Sequence, residues 1–259
     1  MKEIKAIGID AGSTTCKLVA VDENGEIIVK KLEGADPIIE RQTEGLLQEV
    51  MSRYHYDDLV PIIATGYGRR LVRHAQKSVT EITCHARGIY RELGRAGTLL
   101  DMGGQDSKVI RIGANGQTID FVMNDKCAAG TGRFLEQAAS RLQIPLDEIG
   151  SRSLSATKEQ VISSTCTVFA ESEIISLLAH GVEIESILLG LHRALAQRTV
   201  AMIHTVGLEP PLMLSGGVAL NSAFRTILSE LLHEDIQLPK YPQLMGAYGA
   251  ALLGLNIKK

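Results

Sequence analysis

Apolar positions along this chain alternate between two spacings. IKAIGID is a short apolar run ending at Asp10, and after a Gly-rich bend KLVAV continues with in-out alternation; GTLLDM and KVIRI repeat the succession later. Such runs and period-two patterns predict strands. Each pair leads into an Asn-Gly dipeptide, Asn24-Gly25 and Asn115-Gly116, the strongest short-range hairpin signal. Elsewhere the spacing is helical. Phe134, Leu135, Ala138, Ala139 and Leu142 predict a helix that starts near Gly130 and stops at Ile144-Pro145. A long helical run covers Ile184 to Val206, with Ile187, Leu188, Leu191, Leu195, Met202 and Ile203 at its apolar positions. The most apolar stretch, LMGAYGAALLGLNI at 244–257, is shorter than the ~18 residues that cross a bilayer, which predicts a buried Ala/Gly helix.

The two hairpins are copies. GIDAGSTTCKLVAVDENGEII from Gly8 aligns without gaps on LLDMGGQDSKVIRIGANGQTI from Leu99, at a spacing of 91 residues. Asp10 then matches Asp101, Gly12 matches Gly103, and Lys17 matches Lys108. Each bend carries Asp, Gly and small hydroxyl or amide residues. Small residues let backbone N–H groups approach phosphate oxygens, and a strand-end carboxylate can hold Mg²⁺ through water. Neither a GxGxxG loop opening a helix nor a GxxxxGK loop is present. A further Gly loop, LSGGVALN from Leu214, follows the apolar PLML and precedes a helical segment, where backbone can pass close to a ligand. Thr65 to Arg69 reads as a turn after the strand VPIIA.

Composition narrows the class. With 259 residues, 45% of them hydrophobic and 22% charged, one large or two modest globular domains are expected. A net charge of −3, no Trp and 4% aromatics argue against a nucleic-acid partner. No basic segment followed by an apolar one opens the chain, so neither a signal peptide nor a membrane anchor is expected, and a cytoplasmic location is.

Cysteines lie at 16, 84, 127 and 166 with no CxxC pair, which sets aside zinc ribbons and thioredoxin-type sites. Cys127 precedes the helix expected near Gly130. Cys166 precedes a second helix with Thr167 as its cap, Val168, Ile175 and Leu178 along one face, and Gly181 at its end. A thiol at a helix start faces unpaired N–H groups that favour thiolate. A four-iron four-sulfur cluster takes four thiolates, and a two-fold dimer would present this pair twice. The residues alone leave that open beside four inert thiols. Glu171 and Glu173 read as ordinary first-turn acids, His192 and His204 as helix-surface or core residues, and Arg87, Arg91 and Arg95 as a solvated stripe.

Two phosphate-type hairpins, a GG loop and a terminal Gly/Ala helix, in this order, resemble the actin, sugar-kinase and heat-shock-70 superfamily. That likeness implies an α/β, actin-like (ribonuclease H-like) duplicated ATPase fold with nucleotide in a cleft between two domains. The first would span 1–95, completed by a helix at 245–259; the second, 96–244, would carry the cluster cysteines. It also implies a first phosphate loop of Asp10, Gly12, Ser13, Thr14 and Lys17, a second of Asp101, Gly103, Gly104, Gln105 and Asp106, and an adenosine loop of Gly216, Gly217 and Val218. NDKCAAGTGRFLE, SSTCTVFAESE, ATGYGR, DMGGQDSKVI and LSGGVALN are, more closely, similar to the activators (component A) of 2-hydroxyacyl-CoA dehydratases, a group that includes benzoyl-CoA reductase ATPase subunits. The resemblance runs through essentially the whole chain. It implies a homodimer with one [4Fe-4S] cluster held by Cys127 and Cys166 of each subunit. MgATP hydrolysis would drive single electrons from a ferredoxin or flavodoxin donor to a client iron–sulfur dehydratase or reductase. Asp10 and Asp101 would serve Mg²⁺, and Gln105 and Asp106 the attacking water. A small-molecule kinase of the same superfamily is the alternative.

Overall fold

The computed structural model describes residues 3–54, 56 and 60–257; Lys258 and Lys259, the end of the expected terminal segment, lie outside them. The chain forms two compact units: Met1–Ala96 with Ile112–Ile119 and Pro239–Lys259, and Gly97–Arg111 with Asp120–Leu238.

In the first unit, β1 (Ala6–Ala11), β2 (Thr15–Val21) and β3 (Ile27–Gly34) form an antiparallel meander. After α1 (Ile39–Arg53), β4 (Ile62–Thr65) lies parallel to β1, β5 (Lys77–Ser78) lies parallel to β4, and α2 (Glu81–Leu93) follows. The sheet order is β3-β2-β1-β4-β5. Leu46, Leu47 and Val50 of α1 are buried with Ile7, Ile9, Leu18 and Ala20 of the sheet, as the helical and strand periods require. Thr80 caps α2, its hydroxyl accepting the Thr83 N–H at 3.4 Å.

The second unit repeats this plan. Its sheet begins with β6 (Gly97–Met102), β7 (Ser107–Ile112) and β8 (Thr118–Asn124), the Ile112–Ile119 tip of the last two being counted with the first unit. Four helices follow: α3 (Gly132–Leu142), α4 (Ile149–Leu154), α5 (Thr167–Ala179) and α6 (Ile184–Val206). Then come β9 (Leu212–Ser215), α7 (Ser222–Leu232) and β10 (Ile236–Gln237). The order β10-β9-β6-β7-β8 is the first sheet over again, with β9 parallel to β6 and β10 parallel to β9. Duplication therefore extends past the hairpins to the crossover strands, β4 matching β9. Phe134, Leu188, Leu191, Leu195 and Phe224 fill the core beneath.

The last helix, α8 (Met245–Gly254), belongs to the first unit and is buried at nearly every position, as a helix apolar all round must be. It packs on β1 and α2. Among the described residues no helix is long and apolar enough to cross a membrane.

Three local expectations change. Arg87 and Arg91 are not a free stripe: Arg91 donates to the Asn24 carbonyl at 2.7 Å and Arg87 to the Asn115 carbonyl at 3.4 Å, so α2 holds both Asn-Gly turns. The helix expected near Gly130 begins at Gly132, after a 3₁₀ turn at Ala128–Gly130. Cys166, not Thr167, is the residue at the cap of α5.

Candidate functional site

Both hairpin bends close with the same hydrogen bond: the Gly12 N–H donates to Thr15 O at 3.1 Å, and the Gly103 N–H to Asp106 O at 2.9 Å. Each bend follows a buried strand-end carboxylate and carries a lysine. In the first unit, Lys17 Nζ lies 3.1 Å from Asp10 Oδ2. In the second, Lys108 Nζ lies 2.7 Å from Asp106 and 3.5 Å from Asp101, with Lys108 only 2% exposed. Burial of these charges is tolerable because they are paired. Ser13 and Gln105 are exposed at the bends, and Thr14 is half-buried.

The crossover strands complete each site. Thr65 of β4 sits opposite Asp10, and Ser215 of β9 opposite Asp101, where the Ser215 hydroxyl donates to Asp101 Oδ1 at 2.7 Å. A glycine with positive φ comes next in both, Gly66 at +91° and Gly216 at +87°. A side chain there would overlap the carbonyl of Ala11 or of Met102, the residue after each strand-end aspartate. Thr65-Gly66-Tyr67-Gly68 is the turn expected after β4, and it occupies in the first sheet the place that Ser215-Gly216-Gly217-Val218 occupies in the second. Val218 itself is buried in the core and packs toward Gly132, so the loop can offer a ligand only backbone at that position. Its last residue is pinned from below. The Asn221 carboxamide oxygen accepts the Phe224 N–H at the start of α7, and its nitrogen meets His192 Nε2 at 2.9 Å. His192 Nδ1 faces the Leu188 carbonyl at 2.7 Å. That carbonyl can only accept, so Nδ1 carries the proton and Nε2 accepts from Asn221.

Burial pulls the His192 imidazole from 6.5 down to about 4. The unfolded chain therefore binds this proton first. The stabilisation from the neutral ring is full above the ordinary histidine value and is lost as pH falls from about 6.5 to about 4, some ~3 kcal/mol in all. Thermal unfolding of wild type and His192→Gln from pH 7 to pH 4 checks this: the wild-type midpoint should fall more steeply, and equal slopes would refute it.

The cysteines divide into two classes. Cys16 and Cys84 are core residues, and burial pushes both thiols up to about 12. Cys127 and Cys166 are free and exposed. Three side chains brace the exposed pair: Asn124 and Arg198, which the sequence did not single out, and Glu173, which with Glu171 lies beyond the first turn of α5 rather than in it. Asn124 holds the Cys127 peptide from both ends, accepting its N–H at 3.1 Å and donating to its carbonyl at 2.8 Å. Glu173 accepts the N–H groups of Ser163 and Ser164, both at 2.8 Å; partial burial works against its charge, but bonds from Ser164 and Ser163 carry the carboxyl below its ordinary value. Arg198 of α6 donates to Ala129 O at 3.3 Å and Ser164 O at 3.0 Å, joining the two cysteine segments, and stacks over Phe134 at 5.0 Å. Burial draws the Arg198 guanidinium below its ordinary range while Cys127 works the other way. The α5 face read from Val168, Ile175 and Leu178 points outward: Val168 is 66% and neighbouring Phe169 69% exposed, whereas Ala170 and Ile174 face the core. Thiolates are the natural ligands of iron–sulfur clusters, and these two are the ones accessible to such a group.

Residues 7–254 match the pattern of the BadF/BadG/BcrA/BcrD ATPase family. The chain belongs to this family. Among relatives, the 2-hydroxyisocaproyl-CoA dehydratase activator of Clostridioides difficile is 39% identical over 98% of this chain and 96% of its own length. The (R)-2-hydroxyglutaryl-CoA dehydratase activating ATPase of Acidaminococcus fermentans is 39% identical over 96% of each chain. A structure of a Clostridium difficile 2-hydroxyisocaproyl-CoA dehydratase activator with bound ADPNP superposes with a TM-score of 0.88 at 38% identity, covering 97% of this chain and 94% of that one. The family's fold here is the α/β actin-like ATPase architecture.

Proposed function

We propose that this chain is an ATP-dependent activator of a 2-hydroxyacyl-CoA dehydratase or a related reductase. It works as a homodimer, binds one [4Fe-4S] cluster through Cys127 and Cys166 of both subunits, and delivers single electrons to an iron–sulfur client. The observation that carries this is the pair of exposed thiols, each on a braced segment, in a unit that also bears a phosphate-type bend. One chain brings two thiols where a cluster takes four, and among the described residues no three His, Cys, Asp or Glu side chains converge to hold a metal. A second copy supplies the rest. The outward apolar residues Val168, Phe169, Ile175 and Leu178 lie on the helix that Cys166 caps, which suits a covered face there.

The chain's own groups divide the ATP chemistry among them. Gly12, Ser13, Thr14, Gly103 and Gly104 offer bend backbone to the phosphates, Lys17 and Lys108 supply positive charge, and Asp10 and Asp101 hold Mg²⁺ through its waters. Gln105 is exposed at its bend, while Asp106 is engaged by Lys108. Gln105 therefore orients the attacking water, and Asp106 positions the lysine. Gly216, Gly217 and the Val218 backbone face the adenosine. When bound, the cluster supplies a one-electron couple whose potential follows its exposure and hydrogen bonding. A ferredoxin or flavodoxin would be the electron donor.

Anaerobically purified protein should be brown, with roughly four iron and four sulfide per dimer and a paramagnetic signal, after reduction, that changes on addition of MgATP. A colourless, iron-free protein under strict anaerobiosis would sink the proposal. Phosphorylation of a small molecule by that colourless protein would return the kinase reading.

A further inference from the structure

We infer that the Thr131 hydroxyl is the positioning group that couples the Gly103–Gly104 bend to the turn presenting Cys127. The inference rests on the proposed reading of that bend as a phosphate loop. Thr131 is fully buried, with extended backbone, between the 3₁₀ turn Ala128–Gly130 and α3. Its Oγ1 lies 3.0 Å from Gly104 O and 2.8 Å from Ala128 O. A hydroxyl has one proton to donate, so these two carbonyls compete for it. One belongs to the bend and the other to the residue after Cys127.

The surrounding main chain makes the connection stiff. The Gly132 N–H donates to Gly103 O at 2.9 Å and the Arg133 N–H to Gly104 O at 2.8 Å. The Thr131 N–H donates to Ala128 O at 3.1 Å, and the Gly130 N–H to Cys127 O at 3.2 Å. Asn124 fixes the Cys127 peptide at the far end. A peptide group is planar and trans, with its C=O and the following N–H pointing in opposite directions. The carbonyls of Gly103 and Gly104 point at the start of α3, so the N–H groups of Gly104 and Gln105 point away from it. A phosphate engaging those two N–H groups tilts the same two planes and moves the carbonyls behind them. Gly104 O then gains or loses the hydrogen bond from the Thr131 hydroxyl, Ala128 O does the reverse, and the turn carrying Cys127 shifts. The main-chain bonds are available to serine, valine or alanine at 131; the hydroxyl is the part that can change partner.

The test uses the full chain in iron-free form. Alkylation of Cys127 by N-ethylmaleimide is followed by peptide mass spectrometry, with and without the ATP analogue MgADPNP. Wild type should change rate about fivefold on binding the analogue, a typical coupling between sites. Thr131→Ser should keep that response. Thr131→Val, which keeps the shape but not the proton, should show none while binding the analogue as wild type does; Thr131→Ala takes its place if the valine variant does not fold. A valine or alanine variant that responds like wild type, or a wild type that does not respond, would overturn the inference. Iron content is measured separately on protein purified anaerobically, so a chain that carries no iron as purified but whose Cys127 answers to nucleotide defeats the cluster proposal and leaves this one standing.

Discussion

Asp101→Ala is expected to lower ATP turnover by about 10²- to 10³-fold, the scale on which loss of one preorganised charge-stabilising group acts. Asp101 is the next-to-last residue of β6, is 3% exposed, accepts the Ser215 hydroxyl at 2.7 Å and lies 3.5 Å from Lys108. Its carboxylate is thus held in place before any ligand arrives. The substitution should leave the unit folded, because Lys108 keeps Asp106 at 2.7 Å and is not left as an uncompensated buried charge. The lost hydrogen bond from Ser215 costs about 1–3 kcal/mol. Phosphate release, thermal unfolding and iron content on the same preparation separate the possibilities. Near-normal turnover would remove Asp101 from the Mg²⁺ site, and loss of iron with turnover intact would show that it serves the cysteine segment instead.

Gly249→Ala should be the most damaging of the small substitutions. Gly249 faces the Cys84 carbonyl of α2, Gly88 of α2 faces the Met245 carbonyl, and Gly8 of β1 faces the Ala247 carbonyl. The helix α8 is therefore wedged between strand and helix at backbone-to-backbone distance, with no flexible side chain available to yield. A methyl group at 249 overlaps the Cys84 oxygen and must push α2 and α8 apart. Overpacking of this kind costs roughly 3 kcal/mol or more, which for a chain of this size is about 10 °C in the unfolding midpoint. The contrast is Gly45→Ala in α1, where nothing lies within 4 Å of the added group; there helix propensity alone acts, and stability should rise by up to about 1 kcal/mol. Equal midpoints for the two variants would refute the account.

What the sequence made legible follows from how far apart the cooperating residues lie. The hairpin copies were readable because Asp10, Gly12 and Lys17 recur at one fixed spacing. The equivalence of Thr65-Gly66 and Ser215-Gly216 was hidden because α3 to α6 stretch the second copy: the two loops are 150 residues apart rather than 91. Only a hydroxyl followed by glycine survives there as a signal. Asn124 and Arg198, and the bracing role of Glu173, could not be found by spacing at all, since a single polar residue that reaches a distant carbonyl or amide looks like any surface position. Val168, Ile175 and Leu178 show the opposite failure. Their helical period is right, but an apolar stripe that faces outward has the same period as one that faces the core. The start of α3 was misplaced for a local reason, because Thr131 is extended and no helix can run through it.

The unequal burial of the four thiols has a practical consequence. Cys16 and Cys84, core residues with acidities near 12, stay silent toward electrophiles while the chain is folded. Any reagent that counts accessible sulfur in the native protein therefore counts Cys127 and Cys166 alone. An unsubstituted chain carries its own gauge of folding: two reactive thiols while it is native, and four only once the fold has been lost.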